Sequence, residues 1–196
     1  MAFARMSPIS SGHAKVVDHV KSLAKEHNAD HKIILSATQD SKKNPLNVTD
    51  KVKLAKKYFP GTNIVGATKE APTFMHHAKL LSDSGTKHLV MVAGSDRVEE
   101  YHKILHKYNG QPNHHNFDKI SVVSAGNRDP DAEGAAGMSA TKLRGHAAAG
   151  EYDKFKSGLP PGSESLHKEM YTKVRAGLKL ESFICYAKRL LVERNK

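Results

Sequence analysis

Two periods of hydrophobicity alternate along the first 150 residues of this chain. Short apolar bursts fall at 2–6, at 32–36 with Ile33-Ile34-Leu35, at 63–66, at 88–93 with Leu89-Val90-Met91-Val92, and at 119–124. Each is too short for a helix and reads as a buried strand. Between them, residues 14–26 carry Val16, Val17, Val20, Leu23 and Ala24 at spacings of three and four, which predicts an amphipathic helix. Further helices are predicted over 49–57, stopped by Pro60-Gly61, over 72–83, over 96–108 until Asn109-Gly110, and over 139–149. Strand and helix thus alternate five times. That order implies an α/β fold, a Rossmann-like doubly wound and mostly parallel five-stranded sheet, because parallel neighbours need crossover helices that cover both faces. Ligands of such sheets bind outside the carboxyl ends of the strands.

From Glu151 the pattern changes. Tyr152, Phe155 and Leu159 lead to Pro160-Pro161-Gly162, and 166–195 reads as one or two helices with Leu178, Leu180, Phe183, Ile184, Ala187, Leu190 and Leu191 on one face. The expectation is an α/β domain over 1–150 and a C-terminal helical extension over 151–196 packed on it. The same face leaves a homo-oligomer contact open. The Gly-, Asp- and Ala-rich stretch 126–137 is expected to hang over the site as a loop.

Charge narrows the partners. Lys and Arg outnumber Asp and Glu by 31 to 20, a formal net charge of +11 over 196 residues. Such a balance favours polyanions, whether nucleotides, nucleic acid or an acidic surface. The excess is scattered, denser at 51–57 and 188–196, without interleaved stacking aromatics and without Trp, so nucleic acid is not the favoured partner. No apolar run approaches the roughly 18 residues that span a bilayer, so no membrane partner is expected. Cys185 is the single cysteine, which excludes an internal disulfide and fits a cytoplasmic protein with a structural thiol.

Candidate chemistry gathers at predicted strand ends. After the first strand comes Ser7-Pro8-Ile9-Ser10-Ser11-Gly12-His13, where Pro8 and the Ser-Ser-Gly run break the strand and Gly12 lets backbone N–H groups approach a ligand. Residues 36–44 follow the second strand, Gly94-Ser95-Asp96 the fourth, and Gly126 onward the fifth. In Met138-Ser139-Ala140-Thr141-Lys142-Leu143-Arg144, two hydroxyls stand at a helix N-terminus with Arg144 one turn on. Both helix openings read as anion sites, and phosphate is the obvious anion. Thirteen histidines, including His76-His77 and His114-His115, lack the spacing of a zinc site. The chain has neither the GxSxG elbow of a hydrolase nor the GxxxxGK[ST] phosphate loop.

These residues resemble the HxGH nucleotidyltransferase superfamily. The first segment is similar to its degenerate (H/T)xGH signature and Ser139-x-Thr141-x-x-Arg144 to its ISxTxxR signature. Ser36-Ala37-Thr38-Gln39 through Asn44-Pro45-Leu46 is similar to the stretch after the second strand of archaeal-type nicotinamide-nucleotide adenylyltransferases. Together the matches span about residues 3–145. Residues 128–137 and Gly158-Leu159-Pro160 are similar to nucleotidyltransferase-like proteins of large tailed phages, which would place the protein in a host cytoplasm. The resemblance implies transfer of a nucleoside monophosphate from a nucleoside triphosphate, ATP first, to a phosphorylated small acceptor, with release of pyrophosphate. Nicotinamide mononucleotide leads as acceptor; phosphopantetheine, or CTP with a phosphorylated alcohol, stays open. His13 would contact the triphosphate near its α-phosphate, and Ser10 stands where the family has His or Thr. Ser7 and Gly12 would border the nucleotide, while Ser139, Thr141 and Arg144 would hold the β- and γ-phosphates. Lys42 or Lys43 would reach in from the second loop, and Asp96 would bind acceptor or ribose, or cap its helix. Mg2+ would arrive with the triphosphate, so no metal cage is expected. The competing class is a degenerate nucleotide-binding module that holds nucleic acid or a protein partner on its basic surface.

Overall fold

The computed structural model describes residues 1–126 and 138–179. Five strands, β1 (Ala2–Ala4), β2 (Ile33–Leu35), β3 (Ile64–Gly66), β4 (His88–Ala93) and β5 (Lys119–Ser124), form one sheet in the order β3-β2-β1-β4-β5 with every pairing parallel. Helices α1 (Ser11–Glu26), α2 (Val48–Tyr58), α3 (Phe74–Asp83) and α4 (Val98–Tyr108) make the crossovers. After β5 come α5 (Ala140–Ala149), α6 (Tyr152–Ser157) and α7 (Glu164–Gly177). This is a doubly wound, Rossmann-like α/β fold whose strand order reverses between β1 and β4.

The period of two in β2 divides the core. Ile33 and Leu35 face the side covered by α1, α2 and α5 to α7, and pack with Val17, Leu54, Leu143, Phe155 and Met170. Ile34 faces the other side and packs with Ala78, Leu89, Met91 and Leu105 beneath α3 and α4. β2 is buried on both faces, which is why it reads as a continuous apolar run rather than an alternating one.

Several boundaries differ from the sequence pattern. β1 stops at Ala4, because Met6 turns into the left-handed region at φ 43°. α1 starts at Ser11 rather than 14, so Gly12 and His13 form its first turn instead of a loop before it. The fourth crossover opens with a single 3₁₀ turn, Ser95–Arg97, before α4. Residues 152–157 form a helix that their composition did not announce. The C-terminal apolar face from Leu180 onward, Cys185, and residues 127–137 of the anticipated loop lie outside the described residues.

The post-150 segment braces the loops after β1 and β2. Gly158 O accepts the Ser11 N–H at 2.9 Å, capping one of the donors that a helix N-terminus leaves open. A Cβ on Gly158 would collide with Met138, and a Cβ on Gly177 would fall on the backbone of Pro45. Lys173 on α7 reaches Asp50 on α2 at 2.7 Å. Among the described residues no helix is long and apolar enough to cross a membrane.

Candidate active site

A cleft of about 1130 Å³ opens at the carboxyl ends of β1, β4 and β5. Its walls come from the segment after β1, the loop after β2, the 3₁₀ turn after β4, and the first turns of α1 and α5. The topology requires this meeting, since every parallel strand delivers its following loop to the same edge, and the loops after β1 and β4 diverge where the strand order reverses.

The segment after β1 is held from three directions. Ser7 is buried at 2% exposure; its Oγ accepts the Leu46 N–H at 3.2 Å and its carbonyl accepts Arg144 Nη1 at 2.9 Å. Ser10 is the N-cap of α1 and is 3% exposed. Its N–H donates to His13 Nδ1 at 3.0 Å, and its Oγ lies 3.0 Å from the same nitrogen. His13 thus stands at the third helical position, where a capping box usually carries Glu or Gln. With Nδ1 accepting a backbone N–H, the neutral ring carries its proton on Nε2. Ser10 therefore orients His13, while its own hydroxyl is turned into that contact.

Gly12 lines the cleft, and among the described residues a Cβ there would meet only Ser10 Oγ at 3.7 Å, an ordinary contact. Packing among the described residues does not demand glycine at this position. Its N–H finds no acceptor among the described residues, and the same holds for Ala140 and Thr141 at the start of α5. Among the described residues, two helix N-termini thus leave three donors without an acceptor at the cleft.

Arg144 spans the wall opposite. Nη1 donates to Ser7 O and Nη2 to Thr141 Oγ1 at 3.0 Å, so the guanidinium plane is fixed between α5 and the segment after β1. Burial lowers its pKa from the ordinary arginine value. Ser139 takes a different place from the rest. Its Oγ accepts the Lys142 N–H at 3.0 Å as the N-cap of α5, and it does not border the cleft.

The loop after β2 is organised by Asp40. Its Oδ1 accepts the N–H groups of Lys43 at 2.6 Å, Lys42 at 2.8 Å and Asn44 at 3.4 Å, and its Oδ2 the Asn44 side-chain amide at 2.5 Å. These donors, the Lys43 N–H first, hold its carboxyl well below the usual carboxylate range. Ser41, Lys42 and Lys43 border the cleft. Asp96 is there too, well exposed, with Arg97 Nε 3.8 Å from its Oδ2. Arg97 pairs more closely with Glu100, at 2.6 Å.

The structure adds residues that sequence reasoning passed over. Arg5, Lys15, Arg97 and Tyr101 all border the cleft. Arg5 was legible as the residue at the end of the first strand, and Lys15 from its position one helical turn after Gly12. Among the described lining residues there are six cations, Arg5, Lys15, Lys42, Lys43, Arg97 and Arg144, against one carboxylate, Asp96. Lys51 belongs to the denser basic run 51–57, yet its side chain is fully buried, because it shares the apolar stripe of α2 with Leu54, Ala55 and Tyr58.

No family model matches this chain, and no curated protein matches it. The chemistry of the cleft therefore rests on its own side chains. Among the described residues, three backbone donors without a partner and a five-charge excess of cations favour a ligand with several negative charges in a row. A triphosphate fits that description. Among the described residues no three His, Cys, Asp or Glu side chains converge on one point.

Proposed function

We propose that the protein is a nucleotidyltransferase that moves a nucleoside monophosphate from a nucleoside triphosphate to a phosphorylated small acceptor. The observation that carries this reading is the cleft itself, which, among the described residues, is bordered by the first residues of two helices, with N–H groups that find no acceptor, and by six cations and one acid. An oxygen of the acceptor phosphate attacks the α-phosphorus, the α–β bridging P–O bond breaks, and pyrophosphate leaves with the electron pair. The chain supplies positioning and charge stabilisation rather than a nucleophile. His13 donates through Nε2 to a non-bridging α-phosphate oxygen. The Gly12, Ala140 and Thr141 N–H groups and the Arg144 fork hold the β- and γ-phosphates, with Lys42 and Lys43 closing from the second loop. Ser139 contributes through the cap of α5, and Ser10 through the orientation of His13.

Magnesium, when bound, neutralises phosphate charge and aligns the chain of phosphates. The lining fits a metal held chiefly by phosphate oxygens, with Asp96 as the one carboxylate among the described lining residues. The cytoplasm, ATP as donor and nicotinamide mononucleotide as acceptor belong to this proposal.

The test is pyrophosphate release with magnesium, using ATP, CTP, GTP and UTP against nicotinamide mononucleotide, phosphopantetheine and a pool of phosphorylated metabolites. Release that requires one acceptor, and falls at least 100-fold in His13→Ala and Arg144→Ala, is the expected result. Triphosphate binding without release for any acceptor, from folded protein, would replace the enzyme with a nucleotide-binding module. One feature favours that second reading: Ser10 stands where the resembled family has His or Thr and is turned inward. If the module holds nucleic acid, its affinity must fall steeply between 50 and 200 mM salt, on the order of 10³-fold for about six phosphate contacts.

A further inference from the structure

Lys51 is among the largest side chains that the fold encloses completely, and it lies beneath the loop after β2 rather than in the cleft. Its Nζ donates to Ser36 O at 2.9 Å and Thr38 O at 2.8 Å, with Ser36 Oγ at 3.5 Å. Those two carbonyls belong to the stretch that leaves the sheet at the end of β2. Ser36 is tied on its other side to β1 through its N–H and Ala4 O at 2.9 Å. Two residues past Thr38 stands Asp40, whose carboxylate gathers the N–H groups of Lys42, Lys43 and Asn44 into the turn described above. A buried ammonium is costly unless its protons are used, and here backbone oxygens take them. An apolar side chain of the same length would fill the space and leave both carbonyls without this donor.

We propose that Lys51 is a positioning residue for the cleft. It holds the carbonyls of Ser36 and Thr38 so that the Asp40–Asn44 turn presents Lys42 and Lys43 to a bound polyanion. The geometry of three successive links supports this: α2 fixes the lysine through Leu54 and Ala55, the lysine fixes the start of the loop, and Asp40 fixes its tip. Lys51 and Arg144 share Asp40 and Arg5 as charged neighbours, so the buried ammonium lies within electrostatic range of the cleft as well. The proposal rests on the reading of the cleft as a phosphate site, and its test separates the two.

The experiment compares wild type, Lys51→Met, Lys51→Gln, Lys42→Ala/Lys43→Ala and the Met-containing triple variant, with far-UV circular dichroism and thermal unfolding as controls for folding. Amide NMR of wild type should show the Lys42 and Lys43 N–H protons shifted downfield by the Asp40 carboxylate. In Lys51→Met these resonances should move toward unstructured values while those of α5 stay in place. Lys51→Gln keeps a neutral donor group and should move less; it also serves if the Met variant does not fold. Inorganic triphosphate binding, measured by calorimetry, should weaken about 10-fold in Lys51→Met. The triple variant should bind no more weakly than Lys42→Ala/Lys43→Ala, because a residue that acts through those lysines has nothing left to position. Unmoved Lys42 and Lys43 amides, or losses that add in the triple variant, would overturn the proposal. If wild type binds no triphosphate, the phosphate reading fails, and with it the part of the proposal that concerns the polyanion; the amide shifts then decide separately whether Lys51 holds the turn.

Discussion

Replacing Gly12 with Ala separates a residue kept for the fold from one kept for a ligand. Among the described residues the new methyl meets only Ser10 Oγ, at 3.7 Å, so it collides with none of them. Gly12 is the second residue of α1, and alanine restricts the unfolded chain more than glycine does. In a helix interior the exchange is worth up to about 1 kcal/mol; in the first turn about half of that is expected. For a chain of this size such a gain raises Tm by roughly 1–2 °C. Ligand binding should move the other way. A helical Cβ tilts toward the helix N-terminus, which at this residue is the open cleft. The methyl then occupies the space where a phosphate oxygen would approach the unpaired Gly12 N–H. Losing one charge-assisted hydrogen bond costs about 1.5–3 kcal/mol, or roughly ten- to a hundredfold in affinity. Calorimetric titration with Mg-ATP and with inorganic triphosphate, beside thermal unfolding of both proteins, measures the two effects. A variant that is slightly more stable and binds as tightly as wild type would refute the close approach of phosphate to α1. A drop in Tm of several degrees would refute the placement of Gly12 in the first turn.

Arg144→Lys should cost at least tenfold in kcat/KM for pyrophosphate release while leaving Tm within about 3 °C, since an ammonium cannot span Ser7 O and Thr141 Oγ1 and still fork onto phosphate. Gly177→Ala should destabilise by more than about 3 kcal/mol in urea unfolding, because its Cβ would fall on rigid Pro45 backbone rather than on a side chain that could swing away. Burial, the leading cause, pulls Lys51 down to about 8 from 10.5. Between those values the unfolded chain binds more protons than the folded one, so this residue's contribution makes the fold more stable as pH rises from 8 and less stable as it falls back. Urea unfolding at pH 8 and 9.5 should show a rise of about 1–2 kcal/mol in wild type relative to Lys51→Met; equal pH dependence would show that the ammonium is not desolvated.

The chain order of elements was legible from the sequence, because it depends on local periodicity. Ile33-Ile34-Leu35 and Leu89-Val90-Met91-Val92 are apolar without interruption, and a strand covered on both faces needs that pattern. The helix opening at Ser139 and the stop at Pro60-Gly61 were equally local, each requiring only a hydroxyl or a restricted backbone at one place. Placement of the loops at one edge then followed from parallel pairing. Tertiary packing decided the rest. Ser10 and Thr141 are both hydroxyl residues in a helix opening, yet one is buried against His13 and the other exposed beside Arg144. Lys51 and Lys53 belong to the same basic run, but only Lys51 falls on the face of α2 that the sheet covers, with Ser36 and Thr38 carbonyls arriving from another element to take its protons. Gly158 and Gly177 are required by atoms of Met138 and Pro45, about 20 and 130 residues away in the chain. The sequence determined which segments become helix or strand, since backbone preference and periodicity act within a few residues. Only the tertiary structure decided which polar groups are left without partners, because desolvation and hydrogen bonding depend on what other parts of the chain bring into contact.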